Sequence, residues 1–518
     1  MLAVLAIGTG CPTGGSELGE RCDVNSDCDR TLQCLTGTCI PRCQRAPDCG
    51  DGYACDAGGF CHLATGQQGD ACVTEVACAP GLSCQIDGGD GDGLLSSCTA
   101  QNAGHPAGSR CGDDADCRNG TCALGHCVDL CADTRDCGGG LACMNIPRVE
   151  AGGRMFAGCL PSRGTLTWSI PVIQPTQTIQ LPIPDAATAV SVTMNVDDVN
   201  QLVGATRLTA PREIGSSLPG MTLLTTCGEV GPVTCDPIAK AFGNIVRHRP
   251  GFAQSVLAMP SRYDQSTPHT SFPPGAYDLT VSSLRMTEQA GLIAGSAIPR
   301  VTAVVKLDSS VILDLHFYFL DLTDHPCEAS LGSPKFNAEL ARTSAAFQDD
   351  FLGSLRGTFA QGGVAIGSLT YDDLTDHPDL DGLDVADAAS LLALGRFDVG
   401  VNVFFVRTLS PVGLQAIGPN PGPAGLANTR QSGIVIGVDS LCYRSWTELS
   451  RLTAHELARY MGLYHNVEVV TDPQGRPYGD PIADSDASDT NLMFFSEFGG
   501  TELSPGQREI LTRSPVLR

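Results

Sequence analysis

The C-terminal region contains the sequence His455-Glu456-Leu457-Ala458-Arg459-Tyr460-Met461-Gly462-Leu463-Tyr464-His465, whose spacing indicates how this region folds. The preceding Ser445-x-x-Glu448 is a capping box, which predicts that a helix begins there and carries the first half of the stretch. Residues four apart share one helix face. Gly462 allows the chain to turn after the helix, and His465 can then return to that face. Histidine is scarce in this chain, with 10 among 518 residues, so this spacing is informative.

The elements before this helix alternate between strands and helices. A helix is expected from Ser333-Pro334 to Gly362-Gly363, because Ser is a good N-cap and Pro suits the first turn. A second helix is expected over 386–394. The alternation predicts an α/β layer fold over residues 301–518. The predicted strands are Val311–Leu320, Val364–Thr370, Val399–Thr408 and Ser432–Val438.

Together these features resemble the metzincin family of zinc peptidases, whose motif is HExxHxxGxxH. Downstream, Asn491-Leu492-Met493 resembles the Met-turn of that clan, and the whole is most similar to its secreted pappalysin-like members. The resemblance implies a metzincin-like catalytic fold, α/β (α+β), that acts on proteins or peptides. It also implies that His455 and His465 are metal ligands and that Glu456 is the catalytic base, which takes a proton from a zinc-bound water.

The sequence departs from this motif at the second ligand position, which holds Arg459. A guanidinium group is always cationic and has no lone pair to donate to a metal. Zinc therefore remains a candidate cofactor but is disfavoured. We hypothesise that Arg459 fills the vacated position and pairs with Glu456, three residues earlier on the same face.

Three functions are compatible with these features. The first is a pseudoprotease that binds protein or peptide in the cleft beside the strand Ser432–Val438, at an exposed sheet edge. The second is an active zinc endopeptidase with an atypical ligand set, in which Asp472, Asp480 or Asp484 replaces the missing ligand. The third is a surface adhesin or inhibitor that acts through the cysteine-rich array described next. A helix with no chemical role is a further alternative.

Cysteine usage divides the chain, because 21 of the 25 cysteines lie at or before Cys159. Twenty of them form five groups of four over residues 22–160, and the first gap in every group is five residues. This periodicity predicts a repeat array held by disulfides in an oxidising compartment, rather than zinc sites with their shorter gaps. The groups are Cys22/28/34/39, Cys43/49/55/61, Cys72/78/84/98, Cys111/117/122/127 and Cys131/137/143/159.

Between the array and the C-terminal domain, short alternating runs predict an antiparallel β-sandwich over residues 164–300. Cys227 and Cys235 could close a loop there, and Cys327 is expected to pair with Cys442. No catalytic constellation stands out in this region. The predicted order is thus a multidomain chain with a disulfide-rich array, an accessory sandwich and the α/β domain.

Residues 1–21 are predicted to be a signal and linker. An apolar run that ends at Cys11 resembles a bacterial lipoprotein signal and predicts lipidation of that cysteine; the alternative is one more scaffold cysteine. The protein is therefore expected to be exported, either as an outer-membrane or cell-surface lipoprotein or as an extracellular protein. We expect it to meet a membrane only through this anchor.

Net charge and acidic loops bear on partners and cations. The net charge of −25 argues against nucleic acid as a partner. Two acidic segments, Asp87–Asp92 and Asp379-x-Asp381-Gly-x-Asp384, are either calcium loops or acidic surface loops. Calcium is therefore the second candidate cofactor.

Overall fold

The structure is a computed structural model that divides into two compact units, Met1–Ser162 and Arg163–Arg518. Cys11, Cys227 and Cys235 lie outside the described residues, so lipidation and the loop crosslink stay predictions. The described residues are 19–22, 27–29, 31–35, 38–43, 53–55, 61–64, 66–89, 94–149, 153–211, 220–225, 246–248, 250–260, 273–287, 291–320, 322–425, 429–472, 474–496 and 498–518.

The first unit confirms the disulfide-rich repeat. In four of the five groups the structure gives the connectivity, which the sequence did not: the first cysteine bonds the third, and the second bonds the fourth. Cys43 and Cys61 of the remaining group are also disulfide-bonded. The pairs are Cys22–Cys34, Cys28–Cys39, Cys72–Cys84, Cys78–Cys98, Cys111–Cys122, Cys117–Cys127, Cys131–Cys143 and Cys137–Cys159.

An aspartate before the second cysteine organises the turn in groups four and five. The Asp116 carboxylate accepts hydrogen bonds from the backbone N–H groups of Gly112 and Asp113, and Asp136 does the same with Ala132 and Asp133. A hairpin follows in all five groups, and it places the third and fourth cysteines of the group opposite each other on its two strands. The hairpins pair Leu32–Leu35 with Thr38–Pro41, Tyr53–Cys55 with Cys61–Leu63, Leu82–Gly89 with Leu94–Ala100, Cys122–Ala123 with His126–Cys127, and Leu141–Arg148 with Arg154–Pro161.

Cystines form much of the interior of this unit: Cys39, Cys84, Cys98, Cys117 and Cys127 have no exposed surface. Segments this short bury few apolar side chains, and crosslinks compensate by restricting the unfolded chain. So many disulfides require an oxidising compartment, in keeping with an extracellular or secreted protein. Across the described ranges, no helix is both long enough and apolar enough to cross a bilayer.

The second unit begins with two antiparallel sheets, as the alternating pattern predicted. In the first sheet the strands lie in the order Thr165–Ile170, Arg300–Lys306, Ala189–Asn195, Gln254–Met259 and Arg247–His248. In the second they lie in the order Thr176–Ile183, Gly275–Thr287, Leu202–Thr209 and Thr222–Thr225, with Gly251–Phe252 and Gly291–Ala294 added to its strands.

The expected sandwich boundary at residue 300 is corrected, because the strand Arg300–Lys306 pairs on both sides within the first sheet. The sandwich therefore extends to Lys306. The buried Lys306 Nζ donates to the carbonyl oxygens of Thr512 and Ser514, each at 3.3 Å. Val304 lies in the same apolar core as the C-terminal layers. The sandwich and the C-terminal layers are thus packed together within one unit.

The C-terminal part has a mixed five-stranded sheet in the order Ala365–Asp373, Ile312–Phe319, Val401–Val406, Gly433–Gly437 and Ala416–Ile417. The first four strands are parallel, and the short strand Ala416–Ile417 is antiparallel to its neighbour. Two further small pairs join Gly382–Asp384 with Thr408–Ser410 and Val467–Thr471 with Pro477–Gly479.

The sheet arrangement corrects the expectation that the strand at 432–438 borders an exposed edge. That strand, Gly433–Gly437, is buried and has partners on both sides. The edge belongs instead to Ala416–Ile417, whose residues are half-buried. A two-residue strand has too little alternation to be recognised in the sequence.

Helices cover this sheet around an aromatic core. The helix predicted from Ser333-Pro334 begins later, because Asn337 caps it by accepting a hydrogen bond from the Leu340 N–H at 2.9 Å. It is also interrupted at Ser344, whose backbone is extended, and resumes with a π-helical turn over Ala346–Phe351. The Cys327–Cys442 disulfide is present, as expected. The α-helices are Glu328–Leu331, Ala338–Thr343, Leu352–Gln361, Ala388–Leu392, Trp446–Tyr460 and Pro505–Arg513.

Candidate functional site

The candidate site lies at the end of the helix Trp446–Tyr460. Its predicted capping box is present, because Ser445 Oγ accepts from the Glu448 N–H and Glu448 Oε2 accepts from the Ser445 N–H. The helix ends at Tyr460, and the chain then turns at Gly462, whose φ of 114° is a left-handed conformation that glycine adopts readily. The chain then returns, so that the ring centroids of His455 and His465 lie 5.2 Å apart.

His455 is held by the segment that was compared with a Met-turn. It is 5% exposed, and its Nδ1–H donates to the Leu492 carbonyl oxygen at 2.7 Å. Burial, together with the neighbouring His465, lowers its pKa well below 6.5, so the imidazole is neutral. Met493 has no exposed surface and follows directly. The turn is fixed by Asn491, whose Oδ1 accepts from the Met493 N–H at 2.8 Å.

His465 has a carboxylate partner that the sequence interpretation missed. Its Nδ1 lies 3.0 Å from Glu468 Oε2, three residues further on. Burial alone would raise the pKa of Glu468. The hydrogen bond with His465 and the positive charges of His465, Arg247 and Arg459 outweigh it, and the pKa is lowered. Both imidazoles thus use Nδ1 for an outer partner and leave Nε2, which is the arrangement typical of metal-ligating histidines.

Arg459 pairs with Glu456, as the hypothesis required. Its Nη1 donates to both carboxylate oxygens of Glu456, at 3.1 and 3.2 Å. Glu456 is 5% exposed, and its carboxylate is therefore largely shielded from water. The carboxylate that would act as a base is engaged by the cation at the second ligand position.

The residues present do not fit a zinc ion. A catalytic zinc site has three protein ligands and an open position, whereas this site has two imidazoles and a guanidinium that cannot ligate. Within the described residues, close groups of three or more His, Cys, Asp or Glu side chains consist only of cysteines. Those cysteines are disulfide-bonded and have no thiolate to offer.

The three aspartates considered as substitute ligands all have other partners. Asp472 is paired with Arg476 at 2.8 Å. Asp484 accepts from the Ser504 hydroxyl and the Gly506 N–H, where it caps the last helix. Asp480 accepts from the Ile482 N–H at 3.2 Å, and burial raises its pKa to about 7.

The acidic segment at 379–384 also uses its carboxylates locally. Asp381 is 3% exposed, and its carboxylate accepts from the Thr323 hydroxyl at 2.6 Å and lies 3.5 Å from Arg407 Nε. Asp384 caps a short helical turn by accepting from the Ala386 N–H. The arginine next to Asp381 makes this segment a poor calcium loop.

Arg247 is a second residue of the site that the sequence interpretation missed. It lies on a sandwich strand, is 2% exposed, and its guanidinium carbon is 3.6 Å from the centroid of the Tyr464 ring. Nothing in the sequence near Arg247 pointed to this contact, because the two residues meet only through packing of the sandwich on the α/β layers. Glu468, by contrast, could have been suspected from its spacing to His465.

No protein-family profile matches the chain, and no curated protein matches it. Among solved structures, a family two carbohydrate esterase from Cellvibrio japonicus is 11% identical, and the match covers 62% of this chain and 93% of that chain. The TM-score is 0.12, so this likeness carries no argument about fold or function.

Proposed function

We propose that the chain is an exported, metzincin-like homologue that binds protein or peptide without cleaving it. The observation that carries the proposal is the ion pair in which Arg459 donates to both oxygens of Glu456. A peptidase of this class needs a metal-bound water and a carboxylate free to accept its proton. Here the second ligand is absent and the carboxylate is engaged by an arginine.

The layout around the helix supports the likeness to metzincins. Four parallel strands and an antiparallel edge strand lie beside the helix with His455 and Glu456, and the chain returns at Gly462 to bring in His465. Both imidazoles also retain their outer hydrogen-bond partners, Leu492 and Glu468. A degenerate site would be expected to keep this scaffold after losing its metal ligand.

The edge strand Ala416–Ile417 is the proposed binding groove. An extended peptide can add to an open sheet edge through main-chain hydrogen bonds. The next residue, Gly418, lies against the site, since a Cβ there would be 2.9 Å from Glu456 Oε2. A polypeptide added to this edge would therefore pass beside Glu456.

Metal content and casein cleavage test the proposal. Wild-type protein is expected to contain no stoichiometric zinc and to leave casein intact, whereas Arg459→His is expected to gain both zinc and activity. The variant Arg459→His/Glu456→Ala is the control, because it restores the ligand but removes the base. Stoichiometric zinc in the wild-type protein would contradict the proposal.

One observation favours the alternative of an active zinc endopeptidase. His455 and His465 each use Nδ1 to bond a neighbouring group, Leu492 and Glu468 respectively, and this keeps both Nε2 atoms available as ligands. In that case wild-type protein would cleave casein, and Glu456→Ala would abolish the cleavage. Arg459 would then have to leave the site, which breaks its bonds to Glu456.

A further inference from the structure

We infer that Arg247, contributed by the β-sandwich, supplies a second positive charge that acts with Arg459 in place of a divalent metal ion. The inference rests on the proposed function, since it takes the site as a metal site that has lost its ion. It goes further because it makes the sandwich part of the site. The sequence had indicated an accessory domain without chemistry.

Arg247 is in an unusual environment for an arginine. It is 2% exposed, and its Nε and Nη1 atoms have no hydrogen-bond partner among the residues that the structure describes. Its guanidinium carbon lies over the face of Tyr464, 3.6 Å from the ring centroid. Burying a guanidinium with two unbonded nitrogens is costly, and nearby negative charge offsets part of that cost.

That negative charge comes from the site itself. Burial lowers the pKa of Arg247 to about 9, and the charge of Arg459 lowers it too, while Glu468 and Asp480 act in the opposite direction. Arg247 therefore remains cationic at neutral pH. Arg247 thus contacts Tyr464, the residue before His465, and is close enough to Arg459 and Glu468 to act on both electrostatically.

Arg459 and Arg247 together carry two positive charges, the same as one zinc ion. A divalent cation that entered beside both arginines would meet two like charges in a poorly hydrated site. Restoring the ligand at position 459 removes only one of them.

The experiment uses Co²⁺ binding to the full-length protein, measured by titration and by the absorption bands of tetrahedral cobalt. The comparison is between Arg459→His and Arg459→His/Arg247→Gln. The second variant is expected to bind Co²⁺ at least about tenfold more tightly, because it lacks the second cation. Arg459→His/Arg247→Lys retains the charge and is expected to stay within about twofold of Arg459→His.

A matched control removes a charge elsewhere on the sandwich. Arg207 is exposed on the strand Leu202–Thr209, so Arg459→His/Arg207→Gln is expected to bind like Arg459→His. If circular dichroism shows that the Arg247→Gln change prevents folding, Arg247→Met replaces it, since a methionine can keep the contact with Tyr464.

Equal Co²⁺ affinity of the single variant and the Arg247→Gln double variant would overturn the inference. So would an equal gain in the Arg247→Lys variant, because loss of packing and not loss of charge would then explain it. Stoichiometric Co²⁺ binding by the wild-type protein is a separate result, and it would contradict the proposed function itself.

Discussion

Arg459 and Glu456 form an ion pair whose two members differ in their access to water. Arg459 Nη1 lies 3.1 and 3.2 Å from the two carboxylate oxygens, and the side chains are 23% and 7% exposed, respectively. The carboxylate is shielded from water, so the arginine stabilises its charge in place of water. The arginine itself is still partly exposed to solvent. This asymmetry predicts unequal costs for removing either partner.

Arg459→Met is expected to lower the free energy of unfolding by about 3–5 kcal/mol, because it leaves a buried carboxylate without a partner. Glu456→Gln should cost less, about 1–2 kcal/mol, since the amide keeps a hydrogen-bond acceptor. The double variant Glu456→Gln/Arg459→Met should be more stable than Arg459→Met alone. Guanidinium chloride denaturation at pH 7 gives all four values. Additive costs would contradict a coupled pair.

Asp480→Asn is expected to stabilise the protein increasingly as the pH rises from about 4 to above 7. Burial raises the folded-state pKa of Asp480 from 3.8 to about 7. The protonated Asp480 carboxyl therefore contributes stability that is fully present below pH 4 and is lost as the pH rises through 7. The variant should therefore match wild type at pH 4 and exceed it by a few kcal/mol at pH 8.

The control for this prediction is Asp472→Asn, on the same segment. Hydrogen bonds from the backbone at Arg476 lower the pKa of Asp472, so its charged form is the favoured one. Because the folded-state pKa lies below 3.8, the stability from the charged form is complete above about pH 4 and is lost only at lower pH. Asp472→Asn should therefore be less stable than wild type by the same amount at every pH from 4 to 8. Thermal unfolding over that range would distinguish the two variants, and a parallel response of both would contradict the assignment.

Features set by neighbours along the chain could be predicted from the sequence. The Ser445–Glu448 capping box, the turn at Gly462 and the pairing of Arg459 with Glu456 all depend on residues within one or two helical turns. Groups four and five of the cysteines likewise repeat a local unit whose aspartate turn and hairpin are short-range. Local geometry dictates each of these.

Features set by tertiary packing could not be predicted. Arg247 reaches Tyr464 only because the sandwich packs on the α/β layers, and no residue pattern near Arg247 reports that contact. The helix is capped by Asn337 and not by Ser333, and both residue types are good N-caps, so the sequence alone does not choose between them. The edge strand Ala416–Ile417 exists only through its partner Gly433–Gly437, since two residues alone carry no periodicity.

Cys327→Ser/Cys442→Ser is expected to destabilise the second unit. The disulfide joins residues 115 apart in sequence, and removing it restores the entropy of a long loop in the unfolded chain. A loop of this length corresponds to about 4–5 kcal/mol in the free energy of unfolding. Denaturation of the variant under non-reducing conditions measures the loss. An unchanged denaturation midpoint would show that the disulfide adds no stability beyond that of the surrounding packing.

His248→Gln tests a buried neutral imidazole in the sandwich. His248 is 3% exposed; its Nε2 accepts from the Ala205 N–H at 2.9 Å, and its Nδ1–H donates to the Val256 carbonyl at 3.0 Å. Burial lowers its pKa from 6.5 to about 4. Because the folded-state pKa is the lower one, this stability is complete above pH 6.5 and is lost as the pH falls toward 4.

Wild-type protein should therefore lose up to about 1.4 kcal/mol per pH unit from this group between pH 6.5 and 4, and the glutamine variant should not. The glutamine can still accept from Ala205 but cannot charge, so it is expected to be less stable than wild type at pH 8 and to approach it near pH 4. Urea denaturation at half-unit pH steps gives the difference directly. If the difference in unfolding free energy between the two proteins stayed constant with pH, burial would not lower the pKa of His248.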